Sequence, residues 1–191
     1  YQKIFYNSIM IKRDASPQLL RLWENFPVVL VSGARQVGKS TIIHLLAQRL
    51  KLAQHVTMDS QGNRERASED PEIFVEGLKI PAFLDEAQKS PTIFDAIKQR
   101  VDRHRHPSQF MLSGSANFLL LKNVSESLAG RSARLFLRGI SVREHMGYTG
   151  KPPHILEALR ARSTRELLDK CFASYKRTYF SPSEWISHMF T

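Results

Sequence analysis

Lys39 and Ser40 end the string Gly33-Ala34-Arg35-Gln36-Val37-Gly38-Lys39-Ser40, and the spacing G-x-x-x-x-G-K-[ST] is that of a loop that wraps a polyphosphate. Glycines at positions 33 and 38 let the backbone pass where a Cβ would clash or a positive φ is required. Main-chain N–H groups and the positive end of a following helix then surround the anion. Lys39 can reach β and γ phosphates, and Ser40 offers Mg²⁺ a hard oxygen. The segment expected to hold nucleotide is Gly33, Ala34, Arg35, Gln36, Val37, Gly38, Lys39, Ser40 and Thr41.

A second group, Asp85-Glu86, follows the apolar run 81–84 about 46 residues after Lys39, a separation that accommodates a βαβα path. In phosphoryl transfer an Asp at the end of a neighbouring strand holds Mg²⁺ through its hydration shell, and an adjacent carboxylate polarises the attacking water. Asp85 fits the first role and Glu86 the second. The plainer reading, two acids that open a loop or cap a helix, loses ground because the glycine-rich loop precedes them.

Two further groups are catalytic candidates. Ser113 and Ser115 follow the run 109–112 and would present a hydroxyl near the γ-phosphate that reports hydrolysis, against a simple turn-forming role. Arg131, at the end of Glu126-Ser127-Leu128-Ala129-Gly130-Arg131, could stabilise charge on the transferring phosphoryl group in its own subunit or a neighbour's, against an ordinary solvated arginine. A guanine-reading Asn-Lys-x-Asp segment does not occur, since Lys122-Asn123 has the reverse order. ATP with Mg²⁺ is therefore the expected ligand pair, and Glu86 favours hydrolysis over transfer to an acceptor near Asp59, Arg64 or Arg66.

The elements that must position these groups are legible in the apolar pattern. Ser16-Pro17 opens a helix with Leu19, Leu20, Leu22 and Trp23 as its stripe. The runs 28–31, 55–58, 81–84, 109–112 and 133–137 read as strands. Helical spacing at Ile42, Leu45, Leu46 and Leu50 follows the loop; 60–70 reads as a polar stretch, and helices are expected over 71–78 and from about 91 to 104. Alternation of strands and helices predicts an α/β fold, a three-layer P-loop NTPase sandwich around a mostly parallel five-stranded sheet. Residues 10–150 form that domain. Residues 151–191 read as a short helical appendage, and residues 1–9 as an extension ahead of a natural start at Met10.

Bulk composition sets the class. The 191 residues are 42% hydrophobic and 24% charged, which suits a globular protein with a sizeable core. No apolar run has the roughly 20 residues that span a bilayer, so a cytoplasmic protein without membrane contact is expected. A single cysteine, Cys171, excludes an internal disulfide. Lys and Arg total 28 against 18 Asp and Glu, a net charge of +10, which favours polyanions, either nucleotide or nucleic acid. The cluster Arg100, Arg103, His104, Arg105 and His106 could face DNA, but the same residues in the last turn of a helix complement its dipole. A nucleic-acid-binding module with a regulatory nucleotide site and a small-molecule kinase are the alternatives to an ATPase.

Arg13-Asp14, the run from Phe26 through Ser40, Phe83-Leu84-Asp85-Glu86-Ala87-Gln88, Leu112-Ser113-Gly114-Ser115 and Ser127-Leu128-Ala129-Gly130-Arg131 together resemble a prokaryotic AAA+-like ATPase family. Its members look like an N-terminal ATPase domain joined to a C-terminal domain of unknown function often compared with restriction-type nucleases. By that resemblance, residues 33–41 would bind nucleotide, Asp85 and Glu86 would be the Walker B pair, Ser113 or Ser115 the sensor and Arg131 a finger, with neighbours in a homo-oligomer if it acts in trans. Family chains continue beyond the point where this one stops, so a fragment or a shortened product is expected.

Overall fold

The computed structural model describes residues 11–115, 127–145, 147, 149–150, 163 and 165–166. Val28, Val29, Leu30 and Val31 are completely buried, as a strand must be when helices cover both faces of a parallel sheet. They belong to β1 (Val28–Gly33), which lies between β4 (Phe110–Ser115) and β5 (Ser132–Phe136). Outward from β4 come β3 (Ala82–Asp85) and β2 (Gln54–Thr57), giving the order β2-β3-β4-β1-β5. Every described pairing is parallel, as the α/β reading requires.

Side chains alternate across the sheet and divide the core in two. Val29, Val31, Phe83, Met111 and Leu135 pack with α1 (Ser16–Asn25) and α2 (Lys39–Leu50). Val28, Leu30, Leu84, Phe110 and Leu112 face the other way, toward α4 (Pro71–Glu76) and α5 (Ile93–Arg103). On α1, Leu19 and Trp23 are buried, and the Trp23 indole N–H donates to the Leu50 carbonyl at 3.1 Å, tying α1 to the end of α2.

Three elements differ from their sequence expectations. Residues 60–70 contain a helix, α3 (Gln61–Glu69), of which only Ala67 is buried; one small apolar residue leaves no periodic stripe to read. In α2 the buried face is Ile42, Ile43, Leu46 and Leu50, while Leu45 is 40% exposed. Ser113, Gly114 and Ser115 continue β4 rather than turning away, each paired in register with Val31, Ser32 and Gly33. The expected helical segment at 118–121 lies outside the described residues.

Beyond β5, α6 (Val142–His145) is the last described helix of the first of two compact units, residues 1–149; the second is 150–191. In the latter, the Ser163 hydroxyl accepts from the Glu166 amide at 3.1 Å.

Candidate functional site

The end of β1 runs into residues 33–40 and then directly into α2. Gln36 and Gly38 both adopt positive φ, 62° and 86°, on either side of Val37, and a run of amides in such alternating conformations forms an anion-binding concavity. Gly38 then stands at the N-cap of α2. The two glycines serve different needs. Gly38 supplies the left-handed backbone, whereas a Cβ on Gly33 would fall 2.3 Å from the Leu137 carbonyl oxygen. Ala34, Arg35, Gln36 and Thr41 are exposed around this loop.

Lys39 is 7% exposed, and its ammonium donates to the Gly33 and Ala34 carbonyls at 3.2 and 2.8 Å. That holds the charge at the mouth of the concavity. The Ser40 hydroxyl, one residue on, donates to Asp85 Oδ2 at 2.8 Å.

Asp85 ends β3, and β4 lies between that strand and β1. Ser113 fills the intervening position. Its buried hydroxyl donates to Asp85 Oδ1, which also accepts from the Glu86 amide at 3.1 Å. Ser113 therefore braces the carboxylate, while Ser115 lies beside Gly33 in register at the root of the loop.

Glu86 leaves the strand in a left-handed conformation, φ 54°, ahead of the short 3-10 turn Ala87–Lys89. Its carboxylate accepts from the Gln88 side-chain Nε2 at 2.6 Å. Lys39, Ser40, Asp85 and Ser113 are thus joined to one another or to the loop, and Glu86 adjoins them through Asp85.

Arg131 is not brought to this cluster. It precedes β5, its carbonyl accepts from the Val28 amide at 3.3 Å, and its guanidinium makes two bonds to Asp102 at 2.6 and 2.7 Å. Five steps of parallel strand, about 16 Å at roughly 3.3 Å per residue, separate this rim of the sheet from Gly33. The own-subunit role is therefore corrected: the chain's own loop is out of reach of this side chain.

The basic cluster at the end of α5 lies on that same far rim. Arg100 donates to the Val75 and Leu78 carbonyls, pairs with Glu76 at 3.7 Å and sits 5.7 Å from the Phe110 ring centroid. Arg103 pairs with Glu76 at 2.9 Å, and Arg105 donates to the Gly130 carbonyl at 3.0 Å. These contacts engage the guanidinium groups that a DNA-facing surface would offer. Asp59, Arg64 and Arg66 are likewise engaged locally, with Lys89, the Met58 and Asp59 carbonyls, and Asn63 respectively.

A hollow of about 240 Å³ adjoins the loop, lined by Ile11, Thr41, Ile42, Leu45 and Ile140 beside Gln36, Val37 and Gly38. A larger cleft of about 590 Å³ runs along β2, α3 and α4 but includes no loop residue, so chemistry favours the smaller. Among the described residues no cluster of three or more His, Cys, Asp or Glu could hold a metal ion by itself, and no helix is long and apolar enough to cross a membrane.

Residues that spacing alone did not single out complete the arrangement. Arg13 and Glu144, 131 positions apart, form a buried pair at 3.0 Å, and Arg13 also donates to the Val37 carbonyl at 2.7 Å. Only the fold shows this contact.

The chain is similar to known proteins. Two uncharacterized proteins, Mb2031c of Mycobacterium bovis and Rv2008c of Mycobacterium tuberculosis, are each 37% identical over 134 residues, 70% of this chain and 30% of theirs. The chain thus spans less than a third of the length of these curated relatives. A solved shikimate kinase from Acinetobacter baumannii, in complex with shikimate, has a TM-score of 0.35 at 14% identity, covering 89% of this chain and 93% of its own. That likeness bears on neither activity nor substrate. The family model described as an AAA domain matches residues 25–146, which takes in the loop, Asp85-Glu86, both serines and all five strands. With a parallel sheet that delivers a glycine-rich loop into a helix and an Asp-Glu pair at the same rim, this chain belongs to the AAA domain family.

Proposed function

We propose that this domain binds ATP with Mg²⁺ and hydrolyses it, acting as a motor or switch for a partner. The observation that carries the reading is the 2.8 Å bond from Ser40 to Asp85. It joins the end of the glycine-rich loop to the acidic strand end, so two sequence motifs share one point in space.

Residues 33–41 surround the phosphate chain, with the amides of the loop and α2 as donors. The Lys39 ammonium offsets charge on the β and γ oxygens. The hollow beside Thr41 presents the apolar side chains of Ile11, Leu45 and Ile140, against which a nucleobase can leave water. Ser40 and the Asp85 carboxylate supply hard oxygens, the donor chemistry that suits Mg²⁺. When bound, Mg²⁺ would neutralise charge on the phosphate oxygens. Glu86 takes the proton of the attacking water, and Gln88 fixes its carboxylate. Ser113 holds Asp85 in place, and Ser115 is the hydroxyl nearer the loop in register. Arg131, turned from its own loop, serves a neighbouring subunit's phosphate if the protein assembles.

The test is turnover of γ-labelled ATP by wild type, Lys39→Ala and Glu86→Gln. Loss of binding in the first and retained binding with about 10²- to 10⁴-fold slower hydrolysis in the second is expected, the range that general-base catalysis contributes. Turnover independent of Lys39 would refute the assignment. An acceptor that accelerates ATP consumption would favour a kinase instead.

A further inference from the structure

Val37 sits between two residues of positive φ, and its carbonyl is held by a side chain from outside the loop. Arg13 donates through Nη1 to the Val37 oxygen at 2.7 Å, through Nη2 to the Arg138 and Gly139 carbonyls at 2.5 and 3.4 Å, and through Nε to Glu144 Oε1 at 3.0 Å. One guanidinium therefore grips the segment before α1, the phosphate loop and the stretch between β5 and α6. Its five N–H donors in a rigid planar fork suit such a junction, where an ammonium would satisfy fewer acceptors.

Glu144 answers from the other side. Its Oε1 accepts from the Asp14 amide at 2.8 Å as well as from Arg13, and its Oε2 accepts from the Ser141 amide at 2.7 Å. Arg13 and Glu144 are 7% and 6% exposed. Burial pushes the Glu144 carboxyl up, but the Ser141 and Asp14 amides and then the guanidinium outweigh it and hold the group below its ordinary value. A charge pair taken so far from water is costly unless hydrogen bonds satisfy it, and here both members are extensively bonded. The same Arg13 lines the hollow beside the loop, together with Ile11 and Ile140, which flank the segments it joins.

We infer that Arg13 is a positioning residue for the phosphate loop: by holding the Val37 carbonyl outward against an anchor set by Glu144, it keeps the neighbouring amides shaped for an anion and fixes the loop to the wall of the hollow. This rests on the nucleotide reading above. It extends that reading to a pair that acts through the backbone of residue 37.

A purely electrostatic role predicts something different. If Arg13 served only as a positive charge near phosphate, Arg13→Lys would bind normally, and Glu144→Gln, which removes a negative charge, would bind more tightly. A positioning role makes both variants bind more weakly.

The experiment measures affinity for Mg-ATP and for magnesium tripolyphosphate by calorimetry, and KM and kcat for ATP. It compares the wild-type chain with Arg13→Lys, Arg13→Met and Glu144→Gln, using Val101→Ala on the opposite face of the sheet as a destabilised control. Dissociation constants for both probes should rise roughly ten- to a hundredfold in Arg13→Met and Glu144→Gln, the loss expected for one or two hydrogen bonds to a charged group. Arg13→Lys should fall between them and wild type, with KM raised and kcat kept. Unchanged affinity in a folded Arg13 variant, tighter binding by Glu144→Gln, or an equal loss in Val101→Ala overturns the inference. If the Arg13 variants do not fold, Glu144→Gln decides by the sign of its change. Failure of wild type to bind either probe overturns the nucleotide reading and this one with it; normal wild-type binding with unaffected variants overturns this one alone.

Discussion

Ser40 and Ser113 reach the two oxygens of one carboxylate: the Ser40 hydroxyl donates to Asp85 Oδ2 and the Ser113 hydroxyl to Oδ1. The loop strand, the acidic strand and the strand between them thus meet at a single side chain. Asp85→Asn keeps the shape but places an NH₂ where one oxygen accepted. It should abolish the part of ATP-induced stabilisation that depends on Mg²⁺ while leaving a smaller magnesium-independent part. Thermal shifts with and without EDTA read this directly; for scale, wild type at a hundredfold excess of ligand over Kd should gain about 2.7 kcal/mol. Equal shifts for variant and wild type in both conditions would remove Asp85 from the metal role.

The loop glycines should fail in distinct ways. Gly33→Ala forces a methyl against the Leu137 carbonyl, 2.3 Å from the ideal Cβ position, and should cost about 1–3 kcal/mol, as overpacking generally does. Gly38→Ala meets only an ordinary 3.5 Å contact with the Arg13 guanidinium, but it must adopt φ +86°, a left-handed conformation that costs an L-residue about 1–2 kcal/mol. Urea midpoints measure both. A Gly33→Ala protein as stable as wild type would contradict the packing at the end of β1.

Stability should fall in mild acid through His55. Its ring stacks on Phe83, centroids 4.6 Å apart, and meets His44 edge-on at 4.7 Å. Partial burial, then the charge of a protonated His44, lowers its pKa below 6.5, with Asp85 acting in the opposite sense. The folded chain thus binds fewer protons than the unfolded one between the lowered value and 6.5, so this contribution is present above about pH 6.5 and disappears as pH drops through the folded value. His55→Phe retains the stack and should lose less stability than wild type on acidification; parallel pH profiles in urea titrations would exclude the effect.

Arg131 offers a test of assembly. Because it faces away from its own loop and binds Asp102, any catalytic contribution must come between subunits. Specific activity of wild type should then rise with protein concentration, and Arg131→Lys should flatten the rise. A flat wild-type profile that Arg131→Lys leaves unaltered would leave the residue with only its Asp102 contact.

Local sequence grammar carried the architecture where each element owns a strong pattern. The runs at 28–31, 81–84 and 109–112 are nearly continuous apolar stretches, which a sheet covered on both faces demands, and the glycine-lysine-serine spacing announces its own geometry. Helix α3 escaped because Ala67 is its one buried residue. The exposure of Leu45 could not be read either, since Ile43 competes for the same face and tertiary packing chooses between them. The Arg13–Glu144 pair lies outside any local rule: 131 residues separate its members, and no window of spacing connects them. Ser113 was legible as a polar residue after a strand, but its partner depended on β3 lying on the far side of β4, which strand order alone reveals.

Strand β4 aligns Leu112 with Leu30 and Ser113 with Val31. Because side chains alternate, a shift of this central strand by one residue would exchange its two faces. The hydroxyl that steadies Asp85 would swing to the side of α5, and Leu112 would take its place. Catalytic competence and correct strand alignment are therefore inspected by the same contact: a molecule that zips up one notch out of step loses its core and its chemistry together, so a mis-threaded chain cannot pass as a working one.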